Sequence, residues 1–353
     1  MFMAVLLVGC SDDSDRVDGE TDVLQLVPYT RGMEVSPAAT RTVTLPGGYS
    51  NYEGPNSIGV YMTTADAAPE EVRSFSYAYH AWNSQVNVTN GTQYYIYGYM
   101  PVNENVNCTI SKRPESKPYS EGAVLSFNNL PPVMAGDFSV ITGVQQVSSA
   151  TPENDSQESV SLTAGNFSYR GRASGQNFVC LMLDHLYSCV RFKFLVDATY
   201  NELRTIKLKE VKLKTEPLLT YPLAVTMIAG GAFSPVWGEP TSYSSDFVTL
   251  FSSVEGEALP ASVEATEQVE VDGYFAPFTD VSNNFVLKCT YDVYDKDENC
   301  TRVGCVAVNK LPADVVDALE NRRTVFTLTV TPTYLYVLSE PDLDNPTIEV
   351  KSE

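Results

Sequence analysis

The residue best suited to covalent chemistry is Cys10. It ends the apolar run MFMAVLLVG over residues 1–9, which is too short to cross a bilayer but suits the end of a signal-peptide core. Leu7, Val8 and Gly9 ahead of Cys10 match a bacterial lipobox. The small Gly9 admits a signal peptidase, and the Cys10 thiol accepts a diacylglyceryl group, so outer-membrane lipid is an expected partner. No Lys or Arg precedes the run; the expected basic segment implies a true start upstream of Met1. Residues 11–22 are polar and acidic, and Ser11, Asp12, Asp13 and Asp15 follow the cysteine directly. They form a solvated tether.

Other reactive residue types are sparse. Only His80 and His185 offer imidazole, and neither has a Ser, Cys or carboxylate at a spacing that suggests a nucleophilic triad. The segment from Asp295 to Asn299 resembles half of a calcium loop. Cys300 and Val306 stand where that loop needs Gly and Glu, so a polar hairpin turn is expected there. Gly47-Gly48 and Gly230-Gly231 lack a strand–loop–helix setting for phosphate and read as turns. Seven cysteines form no CxxC pair. The six beyond Cys10 are expected as small apolar strand residues, although their even number permits disulfides. No catalytic residue, cofactor or metal site is expected, and the chain reads as a non-enzyme.

Bulk properties agree. A formal net charge of -21 argues against nucleic acid and anionic membrane surfaces as partners. With 43% hydrophobic and 11% aromatic residues the chain can build a core. No stretch after residue 10 is long and apolar enough for a transmembrane helix.

The elements that must position any site are strands. Residues 58–62, 93–100 and 138–141 are short β-branched and aromatic runs bounded by turn formers. In residues 190–195, Val190, Phe192 and Phe194 alternate with Arg191 and Lys193, the pattern of a half-buried strand. Residues 205–214, 285–294 and 325–330 continue it. Residues 312–320 read as one short helix and residues 69–73 as a further helical turn. Residues 145–161 read as a long surface loop. The spacing of the strands predicts β-sandwiches.

At His185-Leu-Tyr-Ser-Cys-Val-Arg-Phe, at Gly59-Val-Tyr-Met62, at the strand from Tyr94 to Pro101, and at Gly273-Tyr-Phe-Ala-Pro277, the chain resembles the fimbrillin-like lipoproteins of Bacteroides and relatives, the subunits of type V pili. The acidic run after Cys10 resembles the export tag of surface lipoproteins in that group. The resemblance implies an all-β fold of two tandem transthyretin-like Greek-key β-sandwiches. The expected division is lipobox 1–10, tether 11–22, removable first strand and cleavage region 23–41, sandwiches 42–184 and 185–338, and a C-terminal extension 339–353.

It also implies a function: a subunit exported to the outer membrane, cut after an arginine, and polymerised into a fimbrium by strand addition between fimbrillin subunits. A host or bacterial surface receptor is the implied target of adhesion. Residues 23–27 would be the removable strand. Arg31 and Arg41 follow it, and Arg41, in a small-residue stretch beyond Pro37, has the better context. The donor strand would come from the C-terminus, where Tyr334, Tyr336, Ile348 and Val350 are candidates. The two prolines of residues 340–346 suit either a hinge to a donor arm or a final strand folded back on its own domain. A second reading is a surface glycan-binding lipoprotein of an outer-membrane uptake system, with Tyr79, Trp82 and the tyrosines at 94–99 as a stacking platform.

Overall fold

Alternation at period two governs the chain, and the described residues lie mostly in strands. The structure is a computed structural model. It describes residues 21–352 apart from 32–33, 37–48, 52–57, 68, 73–75, 79–80, 103–105, 148–162, 174–176, 217–218, 244–246, 266, 278–283, 313–321 and 336–339.

The first strands are β1 (Thr21–Arg31), β2 (Glu34–Ser36), β3 (Tyr49–Asn51), β4 (Gly59–Thr63), β5 (Glu70–Val72), β6 (Ser76–Ala78), β7 (Ala81–Thr89) and β8 (Gln93–Met100). Next come β9 (Asn107–Lys112), β10 (Gly122–Leu130), β11 (Val133–Met134), β12 (Ser139–Val147), β13 (Ser168–Arg170), β14 (Phe178–His185) and β15 (Ser188–Val196). Then follow β16 (Thr205–Glu216), β17 (Leu219–Ile228), β18 (Ser234–Trp237), β19 (Ser242–Tyr243) and β20 (Val248–Ala258). The last are β21 (Val269–Phe275), β22 (Asn284–Tyr294), β23 (Cys300–Pro312), β24 (Arg322–Leu335) and β25 (Glu340–Ser352). The helix α1 (Ala198–Leu203) is started by Asp197, whose side chain accepts from the Tyr200 N–H at 2.9 Å.

Four sheets result. Sheet A has ten strands in the order β5-β4-β8-β12-β14-β1-β7-β6, with β13 on β8 and β3 on β1. Sheet B runs β18-β17-β10-β9, with β19 on β17. Sheet C runs β11-β21-β15-β24-β2, with β25 on β24, and sheet D runs β20-β16-β22-β23. Sheets A and B share a core in which Tyr97, Tyr99 and Phe138 meet Leu125, Phe127 and Val225. Tyr99 and Phe127 pack edge-to-face at 5.1 Å, an orientation aromatic quadrupoles favour. Sheets C and D share another, with Phe192, Phe194 and Phe326 against Val211, Leu213 and Leu287. A third cluster, including Leu24, Leu26, Ile96 and Leu181, lies on the other face of sheet A.

The all-β sandwich expectation therefore holds, with two differences in detail. Residues 69–73 do not make a helical turn: β5 occupies part of them and pairs with β4, because a ladder satisfies more backbone groups than one isolated turn. The expected helix at 312–320 lies mostly outside the described residues. Sheet membership also crosses the division expected between 184 and 185. Strands β17, β18 and β19 return to sheet B, whereas β2 and β11 reach forward into sheet C. Alternation assigns a strand two faces but does not name its partner.

Candidate functional site

β1 is apolar enough on both faces to sit inside a sheet. Leu24 and Leu26 are fully buried on one side, and Val27 and Tyr29 are buried as well. The strand pairs in parallel with β14 from Gln25–Phe178 to Thr30–Leu183. On its other side it pairs antiparallel with β7 up to Leu26–Trp82, and then with β3 from Tyr29–Asn51. Pro28 falls between those two partners, where the ladder on that side is interrupted and a missing N–H costs least. Arg31 is the last residue of β1, paired with Tyr49. Arg41 lies outside the described residues, as do Cys10, Ser11, Asp12, Asp13 and Asp15.

Beside β1, on β14, the structure places a thiol that sequence reasoning did not connect with it. Cys180 lies opposite Val27 across the ladder. Burial pushes its thiol up to about 12, against a partial lowering by the hydrogen bond with Tyr29. The Tyr29 hydroxyl is itself raised to about 12, by burial first and then by Cys180.

The C-terminal segment takes the folded-back alternative. β25 pairs antiparallel with β24 at Leu335–Glu340 through Thr333–Asp342, and again from Thr331–Thr347 to Phe326–Ser352. Between these stretches β25 carries more residues than β24, so the chain bulges at 343–346. Two hydroxyls hold the bulge: Tyr200 donates to the Leu343 carbonyl, and Tyr291 donates to the Pro346 carbonyl at 3.0 Å. Ile348 enters the core of the second sandwich, and Leu343 and Val350 pack against it. Tyr334 lies in β24 rather than on the arm, and Tyr336 is outside the described residues. The anchors Tyr200 and Tyr291 were invisible beforehand, since each stands more than 50 residues from its acceptor.

β24 offers one free side to both termini. β15 occupies the other side, while β2 pairs with residues 322–324 and β25 with residues 326–335. The segment that follows β1 and the C-terminal arm thus lie end to end on one strand.

Among chemistry-bearing groups, His185 does have partners. Its Nδ1 lies 2.7 Å from Asp137 Oδ2, and the Ser139 hydroxyl donates to that same oxygen at 2.6 Å. A nucleophilic triad needs the imidazole between serine and carboxylate. Here the carboxylate is central and all three residues are buried, so the cluster ties β12 to β14. His80 lies outside the described residues. The turn at Asp295 is a hairpin, with the Asp295 carboxylate accepting from the N–H groups of Asp297 and Asn299, both at 2.9 Å. Gly230 takes φ +72 in the β17–β18 turn. None of the six described cysteines is in a disulfide, and Cys108, Cys180, Cys189 and Cys289 are buried. The expected tyrosine platform is largely core: Tyr97 and Tyr99 are fully buried, and Tyr94 stacks on Tyr169. Tyr79 lies outside the described residues.

No family model matches the chain, and no curated protein matches it. Solved structures align along most of its length. One is a candidate cell adhesion protein from Bacteroides fragilis, at 9% identity and TM-score 0.41, covering 94% of this chain and 98% of that one. Another is the fimbrial anchor protein Mfa2 from Porphyromonas gingivalis, at 9% identity and TM-score 0.28, covering 94% and 98%. A third is a candidate polysaccharide-binding protein from Bacteroides thetaiotaomicron, at 8% identity and TM-score 0.32, with the same coverage. These overlaps are coarse, and no residue role is carried over from them.

Proposed function

We propose that this chain is a structural subunit of a cell-surface fimbria that supports adhesion. In this reading it is exported as a lipoprotein on Cys10 and assembled by strand exchange after cleavage behind β1. The observation that carries the reading is the seat of β1, an N-terminal strand ending in arginine that fills the middle of sheet A. Its removal would leave β7 and β14 about two strand spacings apart, roughly 9.6 Å. The groove would present two rows of unpaired backbone groups over an apolar floor, a template for an incoming strand.

Ile348-Glu349-Val350 repeats the apolar–polar–apolar order of Leu24-Gln25-Leu26. In our reading β25 of one copy leaves its own β24 and enters that groove in the next, with Ile348 and Val350 in the places of Leu24 and Leu26. The arm would exchange one ladder for two. Arg41 is the preferred cut. The Arg31 backbone is held in the ladder with Tyr49, and a protease needs an extended, unpaired segment. A cut at Arg41 would also release β2 from β24 and separate the lipid on Cys10 from the folded body. Burial of Tyr97 and Tyr99 takes two of the rings expected to stack on a glycan out of its reach.

The test treats the chain lacking residues 1–10 with an arginine-specific protease and follows mass and assembly. Loss of the segment ending at Arg41, followed by a ladder of polymers that persists in cold detergent, is the expected result. A cut product that stays monomeric overturns strand exchange.

A further inference from the structure

The outward face of sheet D carries charge in an unusual distribution. Of the eleven lysines in the sequence, six (Lys207, Lys209, Lys212, Lys214, Lys288 and Lys310) belong to this one sheet. The inward residues Ile206, Leu208, Val211 and Leu213 of β16 are buried, which turns the lysines outward. At the end of the sheet where β16 finishes, Lys212 lies directly opposite Lys288. Lys214 and Lys288 both stand over the Phe247 ring, at 4.9 and 6.0 Å. Lys310 joins them from β23, with Glu210 and Glu216 as the acidic partners. Like charges opposed across a ladder destabilise a sheet, so this end gains from an anionic cover.

The other end has the opposite character. There Asp292 faces Lys207 in register. Glu255 lies at the same end, in the stretch of β20 that pairs with Lys207 and Leu208 through Ala258 and Glu257. The β22–β23 turn adds Asp295, Asp297 and Glu298. With Glu257 there are six carboxylates at that end against five cations, Lys207, Lys209, Lys296, Arg204 and Arg302. Between and beside the two ends stand Val306 and Val308, 54% and 58% exposed, and Val254, 88% exposed.

We infer that this face binds the same face of a second copy of the chain in a two-fold, antiparallel arrangement. A two-fold axis through the sheet lays the basic end of each copy on the acidic end of the other, with the exposed valines between. Such an isologous contact needs one patch that complements itself, and a sheet basic at one end and acidic at the other meets that condition. Four strands at about 4.8 Å spacing and about ten residues long present roughly 600 Å² per copy, near the lower bound of specific interfaces. The dimer is therefore reversible and sensitive to salt. It uses neither β1 nor β25, so it stands apart from strand exchange.

Sedimentation of the uncut chain tests it. A monomer–dimer equilibrium at about 50 mM salt should weaken at least ten-fold at about 500 mM. K212E/K288E and E255K/D297K should each weaken it at least ten-fold while circular dichroism stays unchanged. An equimolar mixture of the two variants should associate again, because one copy is then acidic at both ends and the other basic at both. A wild-type chain that stays monomeric at millimolar concentration in low salt overturns the inference, as does a mixture that fails to recover. Polymer formation after arginine-specific cleavage reports on the other reading and is measured separately.

Discussion

The two terminal strands are built on opposite plans. β1 sits inside sheet A, paired on both sides and buried on both faces. β25 lies on the side of β24 that it shares with β2, paired along one ladder and interrupted by a bulge. Both occupy places that a sheet must fill to satisfy backbone groups. Only β1 leaves a gap flanked by two strands when it is withdrawn. A strand held by one ladder and a few side chains can leave at modest cost, whereas a strand held by two leaves behind a strong demand for replacement.

The sharpest break of this contrast is made in β1. Leu26→Ala should lower unfolding free energy by about 3 kcal/mol, within the range for a fully buried leucine, measured by urea titration. Cys180 gives a second readout. In the intact chain its thiol, raised to about 12 by burial, should resist alkylation at pH 8. Once the chain is cut and β1 is displaced, Cys180 should react quickly while Cys289 in the second sandwich stays protected. Equal protection of both thiols after the cut would show that β1 does not leave.

On the other side of the comparison, Ile348→Ala should cost about 2 kcal/mol, since Ile348 remains 8% exposed at the rim of its core. The variant should still fold as a monomer by light scattering. A loss as large as that of Leu26→Ala would make the two strands equivalent and remove the asymmetry.

Much of this was readable in the sequence wherever one strand carries its own evidence. The alternation of Val190, Phe192 and Phe194 with Arg191 and Lys193 names the buried face. The structure adds that Arg191 reaches Asp272 through two hydrogen bonds of 2.7 Å on the other face. The turn at Asp295 was legible because its hydrogen bonds are local. Partner choice was not. The return of β17 to β10, the crossing of β2 to β24 and the docking of β25 all depend on pairings between distant segments, and period two is the same for every partner. The tyrosines at 94–99 misled for a related reason: an aromatic run marks a strand but not which face meets a second sheet. The candidate site was legible as a first strand and a last strand, and its anchoring through Tyr200 and Tyr291 was not.

The smallest expected effect falls on that anchoring. Tyr291→Phe keeps the ring in the core and removes only the hydroxyl that donates to Pro346. One neutral hydrogen bond contributes about 1 kcal/mol, so β25 should be loosened without unfolding the sandwich. Amide exchange should quicken along residues 347–352 and stay unchanged along β1. The pH dependence identifies the group. Burial, followed by Cys305, raises the Tyr291 hydroxyl from 10.0 to about 12. A raised pKa means that the folded state favours the protonated form. Its contribution is therefore complete below about pH 10 and is lost as pH climbs through 12. The wild-type chain should lose stability across that window more steeply than Tyr291→Phe, and parallel curves would assign the anchoring of β25 to Ile348 alone.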